Sequence, residues 1–432
     1  MRRIATPPLD LRLQRRYLTL VKSHLHAAPE LAAGVASLPS AGKAFAATQG
    51  AWRFLNNDRV SLEALVEPLR EVGRSRADST TAPFVLLAHD WCKVSFDGNK
   101  EDAVTLTHST DVGYELTTSL LVSADDGAPL APMEMHVLTA EGVLSTRSPA
   151  PKRLHHLEQV LPTMNASEGW GLSKPILHVI DREADSVDHY RRWDAKGHKF
   201  LIRADDRRVR WNEKSILLSE IAVDLRQRRK FSCEGSAAYQ GSHAQLWVAE
   251  TEIVLYRPAK KNVKKKKYLK PGRPLTLRFL VVQIRNGAGK VLAQWLLLTN
   301  APGDWVTAAL LARCYYWRWR IESFFKLLKS HGQQLEHWQQ QTGPAIARRL
   351  LIAAMACVIV WQLQADLSPR ATRLKEILIR LSGRQMKRRQ PFTAPALLAG
   401  LWVLLSTLEL LKRIDLSKLT QLAILLPFNN SG

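Results

Sequence analysis

Between residues 315 and 329 the chain reads Tyr315-Tyr-Trp-Arg318-Trp319-Arg-Ile-Glu322-Ser-Phe-Phe-Lys326-Leu-Leu-Lys329. On a single helix, at about 100° per residue, Tyr315, Arg318, Glu322 and Lys329 fall within an arc of roughly 60°, with Trp319 and Lys326 close beside it. One face then carries a carboxylate among cations and aromatic rings. That grouping suits chemistry on a polyanion, because the carboxylate can hold a cation while Arg, Lys and Tyr grip phosphate oxygens. It is equally the pattern of a plain amphipathic helix with an Arg318–Glu322 ion pair at i, i+4.

Two further carboxylates stand where apolar runs end. Phe84-Val-Leu-Leu-Ala-His-Asp90 and Ile176-Leu-His-Val-Ile-Asp181-Arg-Glu183-Ala-Asp185 both read as buried strands finishing in an aspartate. Each aspartate has a bland alternative. Asp90 could close a strand, and Asp181 could cap the helix that holds Ala184 and Val187. His89 and His178 adjoin these positions and are expected to pack or hydrogen-bond rather than ligate.

Taken together, these stretches resemble the bacterial DDE transposases of the insertion-sequence-4 group. Tyr315, Arg318, Glu322 and Lys329 match the Y-R-E-K signature of that group at every position, and Asp90, Asp181 and Glu322 follow in its carboxylate order. The resemblance implies an α/β fold: an RNase H-like catalytic core with a β-rich insertion, flanked by helical N-terminal and C-terminal regions. It also implies that Asp90 bridges two Mg²⁺ ions, with Mn²⁺ able to substitute, while Asp181 and Glu322 each complete one. Oxygen-only ligands favour such ions over zinc, and two ions about 3.5 to 4 Å apart suit phosphoryl transfer. Tyr315, Arg318, Lys329 and Lys326 would contact DNA phosphates. Trp295 and Trp319 would stack an extruded base during hairpin formation, with core packing as their alternative. The partners implied are double-stranded DNA, as transposon ends and target, and a second copy of the chain in a synaptic homodimer. The expected location is the bacterial cytoplasm.

Composition fits a nucleic-acid partner. Lys and Arg number 62 against 39 Asp and Glu, a formal charge of +23, and such a field recruits polyanions. No lipidation motif or isolated basic amphipathic helix favours a membrane surface instead. The apolar stretches Leu350 to Trp361 and Ala394 to Leu405 are shorter than the roughly 18 to 20 residues that span a bilayer. Met1-Arg-Arg is followed by Pro7 and Pro8 rather than by an apolar core, unlike a secretory signal. Cys92, Cys233, Cys314 and Cys357 lack CxxC spacing and are expected to be reduced thiols.

The elements that must position these groups fall into five expected units. Residues 1–78 read as a helical DNA-binding domain, with Ser61 an N-cap for Leu62 to Val72 and a segment running through Trp52 and Arg53 that is similar to the family's end-recognising helices. Residues 79–205 form the first part of the core, with strands at Val85 to His89, Thr117 to Ser123, Met133 to Leu138 and Ile176 to Ile180. Asp126-Gly127 is a hairpin turn between two of them, and Lys152 to Leu161 a helix. Residues 206–290 are a basic β-rich insertion with strands at Leu246 to Leu255 and Leu275 to Arg285 and a lysine-rich loop from Lys260 to Lys267. Residues 291–375 return through Trp295 to the Glu-bearing helix. From Lys329 to about Lys412 the expectation is helix, broken near Ser368-Pro369 and at the basic Arg384 to Arg389, with 376–432 a helical region for dimer contact. Two rival functions share these features: a metal-dependent nuclease or resolvase without strand transfer, and a non-catalytic transposase-derived DNA-binding inhibitor.

Overall fold

The computed structural model describes residues 4–26, 41–96, 100–106, 111–152, 155–239, 242–263, 266–384, 392–412 and 414–423. Among the described residues, three helices come first: α1 (Leu11–His26), α2 (Ala41–Leu55) and α3 (Leu62–Asp78). In α1, Tyr17, Leu20, Val21, His24 and Leu25 are buried, a spacing that gives one apolar stripe. Ser61 caps α3 as expected, its Oγ accepting the Ala64 N–H at 3.1 Å. The helix runs past Val72 because Gly73 and Ala77 remain buried; a Cβ on Gly73 would stand 2.6 Å from Met133 Sδ.

The sheet begins with β1 (Val85–Ser95), the short β2 (Val104–Thr105), β3 (Val112–Ser123), β4 (Pro129–Thr139) and β5 (Gly142–Ser145). Strands β1, β3 and β4 pair antiparallel in that order. The β3–β4 turn contains Asp126 and Gly127, and Gly127 sits at φ +71°, a conformation that favours glycine. Helix α4 (His156–Ser167) crosses to β6 (Ile176–Ile180), and α5 (Val187–Ala195) crosses to β7 (Lys199–Arg203). Strand β6 lies parallel to β1 and β7 parallel to β6. The order β4-β3-β1-β6-β7 therefore joins an antiparallel meander to two parallel crossovers.

The insertion continues this sheet rather than standing apart from it. It comprises β8 (Arg208–Trp211), β9 (Lys214–Leu217), α6 (Leu218–Gln227), β10 (Ser232–Tyr239), β11 (Ser242–Leu255), β12 (Ala259–Val263), β13 (Lys266–Lys270) and β14 (Leu275–Arg285). Strand β15 (Val291–Thr299) pairs β14 on one side and β7 on the other, so the sheet runs β7-β15-β14-β11 without a gap. The stretch expected as a lysine-rich loop is instead the antiparallel pair β12–β13; Lys264 and Lys265 lie outside the described residues.

Helices α7 (Ala308–Trp317) and α8 (Trp319–Leu328) meet at Arg318. The helix expected to continue from Lys329 does not. At its end the Gln333 N–H folds back onto the Leu327 carbonyl at 2.8 Å, and Gly332 fits there only because a Cβ would stand 2.1 Å from that carbonyl oxygen. Helix resumes as α9 (Gly343–Ala365), α10 (Pro369–Leu381), α11 (Ala394–Leu411) and α12 (Leu416–Ala423). The basic run after Arg384, residues 385–389, lies outside the described residues. Both apolar stretches are longer as helices than their sequence runs suggested. By length and composition α9 and α11 could each cross a membrane; α9 is buried within the protein, whereas α11 is largely not.

Candidate active site

Asp90 and Asp181 are placed side by side by parallel pairing. The register sets His89 against Ile180 as the last pair of β1 and β6, so each aspartate is the next residue on its chain. The rim beyond the carboxyl ends of parallel strands is where α/β sheets hold ligands. Asp90 does not end its own strand, as the sequence suggested: β1 continues to Ser95 along β3, with Asp90 opposite Thr118. Only the pairing with β6 stops there.

Arg318, at the bend between α7 and α8, closes the group. Its Nη1 lies 2.9 Å from Asp90 Oδ2, and its Nη2 lies 2.8 Å from Glu322 Oε1 and 3.4 Å from Asp181 Oδ2. The Tyr315 hydroxyl donates to Asp181 Oδ1 at 3.0 Å. Three carboxylates from three separated stretches thus converge on one guanidinium, itself only 3 % exposed. The carboxylates keep 15 % (Asp90), 34 % (Asp181) and 29 % (Glu322) side-chain exposure, so the group opens to solvent on their side.

The electrostatics are uneven. Burial pushes Asp90 up to about 6, against the pull of Arg318 and the Trp91 N–H, and the negative charge of Glu322 and Asp181 adds to the rise. Burial also works upward on Asp181, but Arg318, the Arg182 N–H and the Tyr315 hydroxyl outweigh it and hold that carboxyl below its usual value. Burial would lower Arg318, yet the surrounding anions raise it. Burial and the neighbouring Asp181 raise the Tyr315 phenol, so it stays a hydrogen-bond donor.

Other residues singled out from the sequence sit farther from this point. Lys329 follows the last turn of α8 with non-helical backbone; its ammonium is bonded to the Lys93 carbonyl and paired with Glu336 at 3.2 Å. This helix end interrupts the single-helix arc that the sequence suggested for Lys329. Trp295, Trp319 and Lys326 line one cleft of about 740 Å³, together with Arg203 and Arg320. Trp319 is half exposed, whereas Trp295 is buried edge-on to Tyr315 at 5.2 Å. Arg53 lines a basic cleft of about 560 Å³ with Arg12, Arg15 and Arg16.

Several contributors were not read from the sequence. The Trp91 indole donates to Glu183 Oε2 at 3.1 Å and stacks on His156 at 4.0 Å. The helix bend is docked by the β3–β4 turn: Arg320 Nε donates to the Gly127 carbonyl at 2.8 Å, and a Cβ on Gly127 would meet the Trp317 ring at 2.2 Å. Adjacency to Asp90 could have flagged Trp91. Nothing local could have joined Gly127 to Trp317.

A divalent cation is implied by this carboxylate pattern, and the donor set fits one: hard oxygen ligands from three elements, with one guanidinium among three carboxylates. Among the described residues no three ligating groups already surround a common point. Arg318 takes that point.

The α/β sheet thus brings Asp90 and Asp181 to the rim of its parallel part, and α8 brings Glu322 beside them. Residues 133–359, just over half of the chain, match the family model of the transposase DDE domain, and the chain belongs to that family. The matched span includes Asp181, Arg318 and Glu322 but starts after Asp90, so Asp90 joins the site on geometry. No curated protein matches by sequence. A piggyBac transposase synaptic complex with hairpin DNA, solved by cryo-electron microscopy, is similar at 10 % identity over 98 % of this chain and 76 % of that one, with a TM-score of 0.36. That overlap is loose.

Proposed function

We propose that this DDE transposase binds the inverted-repeat ends of its transposon in double-stranded DNA, cleaves them, and joins the released 3′-hydroxyls to target DNA. One observation carries the reading: Asp90, Asp181 and Glu322, far apart in sequence, meet around Arg318. The strand order β4-β3-β1-β6-β7 supports an RNase H-like core, and the Tyr315-Arg318-Glu322-Lys329 spacing supports the insertion-sequence-4 type. Asp90, Asp181 and Glu322 would hold two Mg²⁺ ions, or Mn²⁺ in their place, which when bound activate water and neutralise charge on the transferring phosphate. Tyr315 stays protonated and positions Asp181. Trp319, beside this group in an open cleft, offers a stacking face for a base and so favours a hairpin intermediate. The basic cleft of Arg12, Arg15, Arg16 and Arg53 supports end recognition by the N-terminal helices. The exposed Leu408, Leu410 and Leu411 of α11 support a contact with a second copy in a synaptic dimer.

The test is one incubation of the full chain with a labelled end, taken from DNA flanking its own gene, a target plasmid and Mg²⁺. Joined product is expected. Cleavage without joining would replace this reading with a nuclease or resolvase. A shifted band alone would replace it with a DNA-binding inhibitor.

A further inference from the structure

Arg318 occupies the place a cation would take. Its two terminal nitrogens reach all three carboxylates, at 2.9, 3.4 and 2.8 Å, while its Nε has no hydrogen-bond partner among the described residues. The side chain is pinned between rings as well, with its guanidinium carbon 5.9 Å from the Tyr315 centroid and 5.7 Å from that of Trp319. Arginine does not lose its proton in a protein. A metal ion therefore cannot enter by neutralising Arg318; it must displace a full positive charge, and that charge needs another anion, because a buried unpaired guanidinium is strongly unfavourable.

We propose that Arg318 is a tethered substitute cation that keeps the DNA-free site from taking a divalent ion, and that a DNA phosphate releases it. A phosphate offers the guanidinium a bidentate partner of matching geometry. Once Arg318 pairs with DNA, the three carboxylates are left with a net charge that only an incoming cation can offset. Metal loading and DNA binding are then linked by one side chain: each makes the other more favourable, as reciprocal coupling requires. This inference rests on the three carboxylates being the metal site of the proposed transposase.

The test uses the full chain without DNA and Mn²⁺ as the probe, with free Mn²⁺ followed by electron paramagnetic resonance. Arg318→Gln should take up Mn²⁺ at a concentration about tenfold lower than wild type, since apparent affinity scales with the fraction of competent site. A short duplex of the transposon end should produce the same gain in wild type, measured against Asp181→Asn on the same duplex to subtract ions held by DNA itself. If Arg318→Gln does not fold, Arg318→Lys decides, because one ammonium cannot bridge three carboxylates and the same direction is expected. Equal Mn²⁺ affinity in wild type and the Arg318 variant, weakened in both by Asp181→Asn, would overturn the gate while leaving the metal site intact. Uptake indifferent to Asp181→Asn with and without DNA would instead remove the metal site, and the inference with it.

Discussion

Arg318 and Arg349 are both almost fully buried, at 3 % and 1 % exposure, and their surroundings are opposite. Arg318 lies among Asp90, Asp181 and Glu322, which raise its proton affinity. Arg349, on α9, has no carboxylate partner among the described residues; it donates to the Gln340 side-chain oxygen at 2.5 Å and lies 4.0 Å over the Trp338 ring, and burial pushes its proton affinity well below the usual value. Its neighbour Arg348 binds the carbonyls of Val60 and Leu55, both at 2.8 Å, stitching α9 to the loop that joins α2 and α3. Burial alone therefore does not mark function. A surplus of anions over cations is the better guide, because Arg349, with Nε and Nη2 unpartnered among the described residues, offers no anion for a ligand to neutralise, whereas crowded carboxylates leave negative charge that an incoming cation can offset.

The largest expected effect separates these two regions. Glu322→Gln keeps shape but removes one of the three charges, and cleavage should fall by at least about a thousandfold, equivalent to ~4 kcal/mol of transition-state stabilisation, with end binding retained. Arg349→Met keeps volume and discards a poorly paired charge, so thermal stability should hold or rise and cleavage should persist. A labelled-end cleavage assay beside thermal unfolding decides. Surviving cleavage in Glu322→Gln, or a loss of cleavage in a well-folded Arg349→Met, would break the distinction.

What the sequence disclosed follows the same division. The strands were legible where apolar runs met turn residues: Ile176–Ile180 and Leu275–Arg285 fall at the expected bounds. The group Asp90, Asp181, Tyr315, Arg318 and Glu322 was legible because residue types and order carried it. The position of Lys329 was not, since helical spacing assumes a helix that continues, whereas the backbone leaves the helical conformation at Lys329. The continuity of the insertion with the core sheet was also hidden, because strand pairing across β7 and β15 leaves no periodic mark.

A smaller effect sharpens the comparison between the two tryptophans of the cleft. Trp319 is 49 % exposed and Trp295 only 7 %, so they should separate function from packing within a few ångströms of Tyr315. Trp319→Ala should leave unfolding nearly unchanged and spare the first nick, yet slow hairpin formation by about five- to hundredfold, matching a stacking loss of roughly 1 to 3 kcal/mol. Trp295→Ala should lower stability by about 3 to 5 kcal/mol and slow every step together. Time-resolved nicking and hairpin assays with a melting curve on each variant will show whether the two behave alike, which would make Trp319 a packing residue.

The smallest expected effect tests the same contrast through pH. His24, His89 and His178 are buried with neutral hydrogen-bond partners: His24 Nδ1 meets the Gln333 side-chain oxygen at 2.7 Å, and His89 Nε2 meets His178 Nδ1 at 2.9 Å. Burial pushes His24 down to about 3 and His89 down to about 4, and lowers His178 well below the ordinary 6.5. Below pH 6.5 the unfolded chain takes up protons that the folded chain refuses, so stability must fall as pH falls, and it continues to fall until the folded pKa is passed. Between pH 7 and pH 6 the loss should be roughly 0.7 kcal/mol for each of the three. Asp90 acts in the opposite direction: with its folded value near 6 and its ordinary value at 3.8, the folded chain holds its proton more firmly, and the same step should return about 0.4 kcal/mol. Metal-free wild type should therefore unfold at lower urea at pH 6 than at pH 7, and Asp90→Asn, which lacks the offset, should show a slightly larger difference. A wild type equally stable at both pH values would mean that these histidines are hydrated or charged in the fold, and a difference in Asp90→Asn equal to that of wild type would mean that Asp90 is fully ionised beside Arg318.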